Sequence, residues 1–239
     1  CRNRTKFADY PKGMVIKMYD ILNKNILFEN MEPANIQSML KCLDSRLNKY
    51  KKGEYIFLSG QSKPAVGILI TGSAQVVKEN ILGDSMIIGS VGGGEIFGET
   101  YACQGEEVIP VSVVAQEYCE VLLLEVSRVI KTCNFACPHH QMLISNLLRV
   151  IAGKCIKLNQ KMSYFTFKTI RGRLIAFFYD RMELDDSLEF RLPFGRQELA
   201  DYLGVDRSAM CRELSTMKKD GLIDYNGRNI KWIDNPRNG

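Results

Sequence analysis

The chain has 239 residues, 46% of them hydrophobic and 25% charged, which is the composition of a globular protein with one large or two small domains. No apolar run is long enough to span a bilayer and no signal-peptide pattern is present, which argues against a membrane protein; we expect a cytoplasmic location, with the eight cysteines mostly reduced. The formal net charge of +5 is compatible with nucleic-acid binding but does not establish it.

The N-terminal part of the sequence predicts short helices. Apolar residues recur at helical spacing between Met14 and Tyr50, and Pro33 suits the first turn of a helix. Because the chain opens on Cys1 and residues 1–13 precede this pattern, we interpret them as a leader or an upstream remnant.

From Lys51 the pattern changes to short β-branched and apolar runs separated by glycines. Such glycine punctuation is typical of an all-β sandwich or barrel. The predicted strands are Tyr55–Leu58, Val66–Ile70, Ala74–Val77, Met86–Ile88, Val111–Val114 and Cys119–Leu124. We expect this β-domain and the helices before it to occupy residues 14–138.

After Pro138 the periodicity becomes helical for about seven turns, to Tyr164. One apolar stripe, here called the seam, alternates at four and three residues like a coiled coil: Ile144, Leu148, Ile151, Cys155, Leu158 and Met162. A second one, the inner stripe, comprises Leu143, Leu147 and Val150. The inner stripe can cover the β-domain while the seam meets a symmetry mate. We therefore predict that residues 139–165 form the dimerisation helix and hinge of a parallel homodimer. The alternative is a single helix buried in the core.

A hinge and a helix lead into the C-terminal domain, residues 166–239. Phe165–Lys168 interrupts the helical preference with aromatic and β-branched residues, and Thr169–Met182 returns to it. We therefore expect a hinge followed by the first helix of this domain.

A helix-turn-helix is predicted between Phe194 and Leu214. Gly204 can turn the chain with a positive φ, and Asp206 can cap the second helix. The residues predicted to face inward are Leu199, Ala200, Leu203, Met210, Leu214 and Met217. The opposite face of the second helix carries Arg207, Ser208, Cys211, Arg212 and Ser215. This face suits a DNA major groove, because arginine can donate two parallel hydrogen bonds to guanine.

Two short strands around Asn226-Gly227 predict a hairpin between Gly221 and Ile233. A hairpin that directly follows a recognition helix makes the domain a winged helix.

This order of elements resembles the Crp/Fnr family of bacterial transcription regulators. The resemblance covers nearly everything from Ile21 onward, and its most specific parts are the helix-turn-helix, Gly53–Phe57 and Gly94–Glu99. It implies an α+β fold with an N-terminal double-stranded β-helix (a cupin-like β-roll, like a cyclic-nucleotide-binding domain), a long dimerisation helix and a C-terminal winged helix-turn-helix. It also implies a homodimer on near-palindromic double-stranded DNA, a small-molecule effector between β-roll and dimer helix, and RNA polymerase as the partner of an activator. No membrane partner is implied.

The resemblance assigns the DNA contacts residue by residue. Arg196 and Gln197 match family residues that hold phosphates. Arg207, Ser208 and Arg212 match those that face base edges, and Cys211 lies on the same face. Ser208 replaces a glutamate often found at this position, so the half-site should differ from the best-known operators of the family.

The effector site departs from the cyclic-nucleotide-binding members. Gly98 and Glu99 are retained, but the positions of a phosphate-binding arginine and the serine after it fall on Ile109 and Pro110. An aliphatic side chain cannot neutralise a phosphate, and proline has no N–H to donate. The dimer-helix positions that would meet a base fall on Leu158 and Asn159. We therefore expect an effector other than cyclic AMP.

Three lysines predict the chemical class of that effector. Lys154, Lys157 and Lys161 lie along one side of a helix without acidic residues, so a dimer would double their positive potential. This favours an anionic organic molecule; the alternative is a solvated lysine face. The sequence assigns no cofactor.

Cysteine-based redox or metal sensing is an alternative for the same DNA-binding role. Cys155 lies on the seam and can face its counterpart in a second copy. Cys133 and Cys137 precede His139 and His140 at a spacing that suits a transition metal, although they can equally begin the dimer helix and bind nothing, so we assign no metal. An iron–sulfur cluster is not expected, because only Cys1 and Cys42 lie near the N-terminus.

The sequence offers no nucleophile–base arrangement and no phosphate loop, and its two histidines are adjacent. We therefore predict an effector-gated transcription regulator rather than an enzyme. A further alternative is a ligand-binding signalling module whose C-terminal domain contacts protein instead of DNA.

Overall fold

The computed structural model describes residues 12–61, 65–79, 85–104, 108–125 and 138–233. Its helices are α1 (Lys12–Leu22), α2 (Pro33–Cys42), α3 (Glu99–Gln104), α4 (Pro138–Phe165), α5 (Ile170–Asp185), α6 (Arg196–Leu203) and α7 (Arg207–Lys219), with a 3₁₀ turn at Ile26–Phe28. Among the described helices, none combines the length and the apolar character that crossing a membrane requires. The chain divides after Ala152 into two compact units.

Two antiparallel four-stranded sheets build the first unit, in the strand orders β1-β8-β3-β6 and β2-β7-β4-β5. The strands are β1 (Arg46–Tyr50), β2 (Tyr55–Phe57), β3 (Ala65–Thr71), β4 (Ala74–Glu79), β5 (Ser85–Val91), β6 (Ile96–Phe97), β7 (Ser112–Ala115) and β8 (Cys119–Glu125). The predicted β-rich domain is therefore confirmed.

Strand β3 explains why the run Val66–Ile70 is apolar at every position. Leu69 belongs to a core shared with Phe57 and Val113 of the opposite sheet. Val66 and Ile68 belong to another core, shared with the helices. Because both faces of the strand are covered, its sequence shows no apolar–polar alternation.

The first half of α4 packs against this unit through the inner stripe. Leu143, Leu147 and Val150 are buried in the same core as residues of α1, α2 and β3, as predicted. Asn146 adds polar contacts, since its Nδ2 donates to the carbonyl oxygens of Leu27 at 3.2 Å and Glu29 at 2.9 Å.

The second unit holds the end of α4, helices α5 to α7 and a three-stranded antiparallel sheet in the order β10-β11-β9. Its strands are β9 (Glu189–Arg191), β10 (Ile223–Asn226) and β11 (Asn229–Trp232). Helix α5 begins as expected, because the Thr169 hydroxyl caps it by accepting from the Gly172 N–H at 3.0 Å. A long helix followed by a winged helix-turn-helix matches the predicted fold.

Several short elements differ from the prediction. Arg46–Tyr50 lies within a region predicted to be helical but is strand β1, because it pairs along its length with β8. Strand β6, helix α3 and strand β9 were not predicted, since runs of two to six residues carry little periodicity. The hairpin turn is Gly227-Arg228 rather than Asn226-Gly227, because Asn226 still pairs with Asn229.

Candidate nucleic-acid interface

The turn between α6 and α7 has the geometry predicted from its sequence. Gly204 ends α6 at φ +62°, a left-handed conformation that glycine adopts without strain. An added Cβ would lie 2.9 Å from the Phe165 ring, so the position also lacks space for a side chain. Asp206 caps α7, since its carboxylate accepts from the Ala209 N–H at 2.8 Å. The predicted cap and turn are both confirmed.

The two faces of α7 separate sharply. Met210, Leu214 and Met217 are buried in the core of the second unit, as predicted. The opposite face is exposed at Arg207, Ser208 and Arg212 and half-buried at Cys211. Neither Arg207 nor Arg212 has an ion-pair or hydrogen-bond partner for its guanidinium among the described residues. Both are therefore available to an external acceptor.

Arg196 and Gln197 lie in the first turn of α6, but only Gln197 is exposed. Arg196 is half-buried: its Nη2 donates to the Gly227 carbonyl at 3.0 Å, and its guanidinium lies 4.9 Å from the Tyr225 ring centre. One of the Arg196 N–H donors predicted to bind a phosphate is thus bonded inside the domain. This hydrogen bond joins α6 to the hairpin turn.

Arg171 supports the recognition helix from α5, a role that the sequence analysis missed. Its Nε donates to Glu213 and its Nη2 to Asp220, both at 2.6 Å. These two carboxylates raise the pKa of Arg171. Because Glu213 lies within α7 and Asp220 just after it, the arginine fixes the end of α7 to α5. Ion pairs between residues more than 40 positions apart leave no signal in a local pattern.

Arg173 holds the other end of the motif and was also missed. Its Nη1 donates to the carbonyls of Leu203 at 2.9 Å and Gly204 at 3.1 Å, and its Nε to that of Phe167 at 3.1 Å. The guanidinium lies 5.3 Å from the Phe165 ring centre. The predicted hinge, Phe165–Lys168, is thus bound to the helix-turn-helix by one side chain.

The hairpin places one further cation beside the interface. Arg228 is exposed in the two-residue turn between β10 and β11. Lys218, near the end of α7, pairs with Asp224 of β10, and this contact lowers the pKa of Asp224. Arg228 was not among the predicted contacts, because a turn arginine has no periodicity to mark it.

The residues predicted to bind an effector lie in both units. In the first, Gly98 turns into α3 at φ +79°, and an added Cβ would lie 2.6 Å from the Ala65 carbonyl oxygen. Glu99 is buried at the start of α3, and burial and this carboxylate together raise the pKa of Cys103. Ile109 is buried in the core between the sheets. It therefore supplies neither charge nor polarity to a ligand.

In the second unit, the remaining predicted effector residues line α4. Lys154, Lys157, Leu158 and Asn159 are exposed. Lys161 is half-buried, with its Nζ 5.3 Å from the ring centre of Tyr202.

The seam is mostly exposed. Leu148 is 62% exposed, and Leu158 and Met162 are each 58% exposed. Cys155 is also exposed, whereas Ile144 and Ile151 are half-buried. Leu148, Leu158 and Met162 are thus left largely without cover from the described residues, whereas Ile151 packs partly against the core of the first unit.

Of the predicted cysteine and histidine group, the structure describes the two histidines but not the two cysteines. Cys133 and Cys137 lie outside the described residues. His139 is half-buried and His140 is buried. Within the described ranges, no three or more histidine, cysteine, aspartate or glutamate side chains are grouped to hold a metal ion.

Comparison with known proteins identifies the family. A cyclic nucleotide-binding domain model matches residues 47–134, and a Crp-like helix-turn-helix domain model matches residues 172–237. Transcriptional activator protein FnrA of Stutzerimonas stutzeri is 24% identical over 207 residues, which cover 84% of this chain and 82% of that protein. The chain belongs to the Crp/Fnr family. A second relative in this family is the cAMP-activated global transcriptional regulator Vfr of Pseudomonas aeruginosa, 23% identical over 80% of this chain and 93% of its own.

The solved structure of another regulator has the same fold. The c-di-GMP responsive global regulator CLP of Xanthomonas campestris superimposes with a TM-score of 0.57 at 19% identity, over 85% of this chain and 100% of that one. The two domain models and the curated relatives show that the chain is a Crp/Fnr-type transcription regulator with an effector-binding and a DNA-binding domain, and not an enzyme. Regulators of this kind bind DNA, typically as dimers, and respond to small-molecule effectors. These relatives give no support to a signalling module without DNA binding.

Proposed function

We propose that this Crp/Fnr regulator binds a near-palindromic DNA site as a homodimer, gated by a small anionic effector other than cyclic AMP. The observation that carries the proposal is the outward face of α7, where Arg207 and Arg212 are exposed and without internal partners among the described residues. We place the protein in the cytoplasm. RNA polymerase is a further partner if the protein activates transcription.

Base readout falls to α7 because its buried face holds the helix at a fixed rotation. Met210, Leu214 and Met217 point inward, so Arg207, Ser208 and Arg212 point toward a groove. Arg212 can donate two hydrogen bonds to one guanine, while Ser208 and Cys211 are small enough for close approach. Gln197 and Arg228 flank this face as candidate phosphate contacts.

Dimerisation follows from the seam. Exposed Leu148, Leu158 and Met162 would leave a continuous apolar stripe in water, and a second copy of α4 would cover it with knobs-into-holes packing. A two-fold dimer sets two recognition helices about one DNA turn apart, which accounts for a near-palindromic site.

Two observations support the effector assignment: the phosphate contacts of a cyclic nucleotide are absent, and lysines that attract an anion are present. Ile109 is buried and Pro110 lacks an N–H, so the phosphate contacts of cyclic nucleotides are not available at these positions. The lysines Lys154, Lys157 and Lys161, in contrast, attract an anion.

DNA binding is tested by selecting binding sites from a random duplex library with the full chain. We expect a two-fold symmetric site, with affinity that falls as salt concentration rises. Arg212→Ala should weaken binding to that site by about 1–3 kcal/mol and relax preference at one base pair. Arg212→Lys keeps the charge but not the paired donors, so it should restore non-specific affinity and not the base preference. Equal affinity of the parent chain for all duplexes would reject the proposal.

The effector is tested by native mass spectrometry of the purified protein with and without reductant. A dimer that carries the mass of a discrete organic anion supports the proposal. A mass shift that depends on reductant would instead favour the alternative, in which the exposed Cys155 of two copies forms a disulfide. A bound cyclic AMP mass would contradict the assignment.

A further inference from the structure

Cys42 and His140 form a thiol–imidazole pair in the first unit. The Sγ of Cys42 lies 3.6 Å from Nε2 of His140, although the two residues are 98 positions apart. Cys42 is the last residue of α2 and is exposed, whereas His140 lies in the first turn of α4 and is 2% exposed. One member of the pair thus meets solvent while the other is held inside the protein.

The pair is held by the packing of α2 against α4. Met39, Leu40 and Leu43 share one buried core with Leu143 and Leu147. This apolar packing holds the start of α4 against the end of α2 and so places the imidazole beside the sulfur. The Nδ1 atom of His140 is buried and has no hydrogen-bond partner among the described residues, so Cys42 is the one polar contact found for this ring.

We propose that Cys42 is a modification site, a thiol that reacts with hydroperoxides while His140 accepts its proton. The thiolate is the nucleophilic form of cysteine, and both an adjacent base and solvent access favour its reaction. The proposal does not depend on DNA binding or on the effector.

The reaction balances with the peroxide as the oxidant. The Cys42 S–H proton passes to Nε2 of His140, and the sulfur attacks one peroxide oxygen as the O–O bond breaks. The departing oxygen takes up the proton from the imidazole and leaves as water or an alcohol. The sulfur is oxidised to a sulfenic acid, and the peroxide is reduced.

Other described cysteines lack this combination. Burial raises the pKa of the Cys103 and Cys119 thiols, which keeps them protonated. Cys155 and Cys211 are free thiols at the seam and on α7, and neither pairs with a histidine among the described residues. Cys42 alone among these joins exposure to an imidazole.

Oxidation would also change the start of the dimer helix. Oxidation replaces the thiol beside Nε2 with a bulkier S–OH group, so the one polar contact found for the buried ring of His140 has to rearrange. We expect the first turn of α4 to open more readily as a result.

The test uses the full chain, treated with hydrogen peroxide and dimedone, with labelled peptides mapped by mass spectrometry. Cys42 should be labelled at least about tenfold faster in the folded chain than in the same chain unfolded in urea, where the imidazole contact is lost. His140→Gln should remove this difference in a chain that retains its circular dichroism. Labelling of Cys42 that is equal or slower in the folded chain would overturn the proposal, whether or not the variant folds.

Discussion

The two stripes of α4 differ in what happens to them beyond Ala152. The inner stripe continues at the same four-and-three spacing through Lys154, Lys157 and Lys161 to Tyr164. The stripe is therefore aliphatic where the first unit covers it, basic in the middle, and aromatic at its end, where Tyr164 enters the core of the second unit.

The seam, in contrast, is apolar at every position from Ile144 to Met162. Its residue types do not change at the boundary between the two units. A stripe covered by its own chain follows the extent of that cover. A stripe that remains apolar along about five turns calls for a partner of equal length, and a second copy of the same helix is the simplest one.

Leu143→Ala should give the largest effect, because it removes a fully buried inner-stripe side chain from a core of the first unit. The free energy of unfolding should fall by about 2–5 kcal/mol, as measured by urea denaturation. Leu148→Ala is the matched control on the seam, and it should leave the stability of a monomer within about 0.5 kcal/mol. Similar losses in both variants at concentrations where the chain is monomeric would erase the distinction between the stripes.

Leu158→Asp should raise the dimer dissociation constant on the order of 100-fold or more, because it sets two carboxylates against each other across the proposed seam. Sedimentation equilibrium measures this change. Ile156→Asp is the control: Ile156 is 63% exposed and Leu158 58%, but Ile156 lies off the seam. If the two variants weakened the dimer equally, general hydrophobicity rather than the seam would hold it.

Tyr164→Phe should cost about 1–2 kcal/mol, because it removes a hydrogen bond from the hydroxyl to Asp180 Oδ2 at 2.7 Å while keeping the ring. Burial and that carboxylate raise the pKa of Tyr164. The folded chain thus holds the phenolic proton more tightly than the unfolded chain. The stabilisation is complete below about pH 10, the ordinary tyrosine pKa, and declines as pH rises further. Denaturation between pH 8 and 11 measures this slope, and the slope should be smaller in Tyr164→Phe.

Lys157→Ala should give the smallest effect on stability, within about 0.5 kcal/mol, because the side chain is exposed in the basic part of the inner stripe. Thermal denaturation checks it. A large loss would mean that Lys157 packs inside the protein, as Leu143 does, and would remove it from the proposed effector site.

Much of the DNA-binding unit could be predicted because its signals are local. Gly204 and Asp206 act within one turn of their own position, and Met210, Leu214 and Met217 mark one face by their spacing alone. The same holds for the inner stripe and the length of α4, which begins and ends where the periodicity does.

Contacts between distant residues could not be predicted in this way. Arg46–Tyr50 became a strand because β8, about 70 residues later, pairs with it. Arg196 turned toward Gly227, and Arg171 toward Glu213, because folding brought those acceptors within reach. The pairing of Cys42 with His140 arose likewise.

The sequence by itself therefore determined the order of elements, the cap and turn of the recognition helix and the two apolar stripes, since interactions over one to four residues carry them. Only the tertiary structure decided which arginines lack an internal partner among the described residues and which brace the domain. A side chain's partner depends on the atoms that folding brings near it, and the spacing of residues along the chain does not encode that proximity.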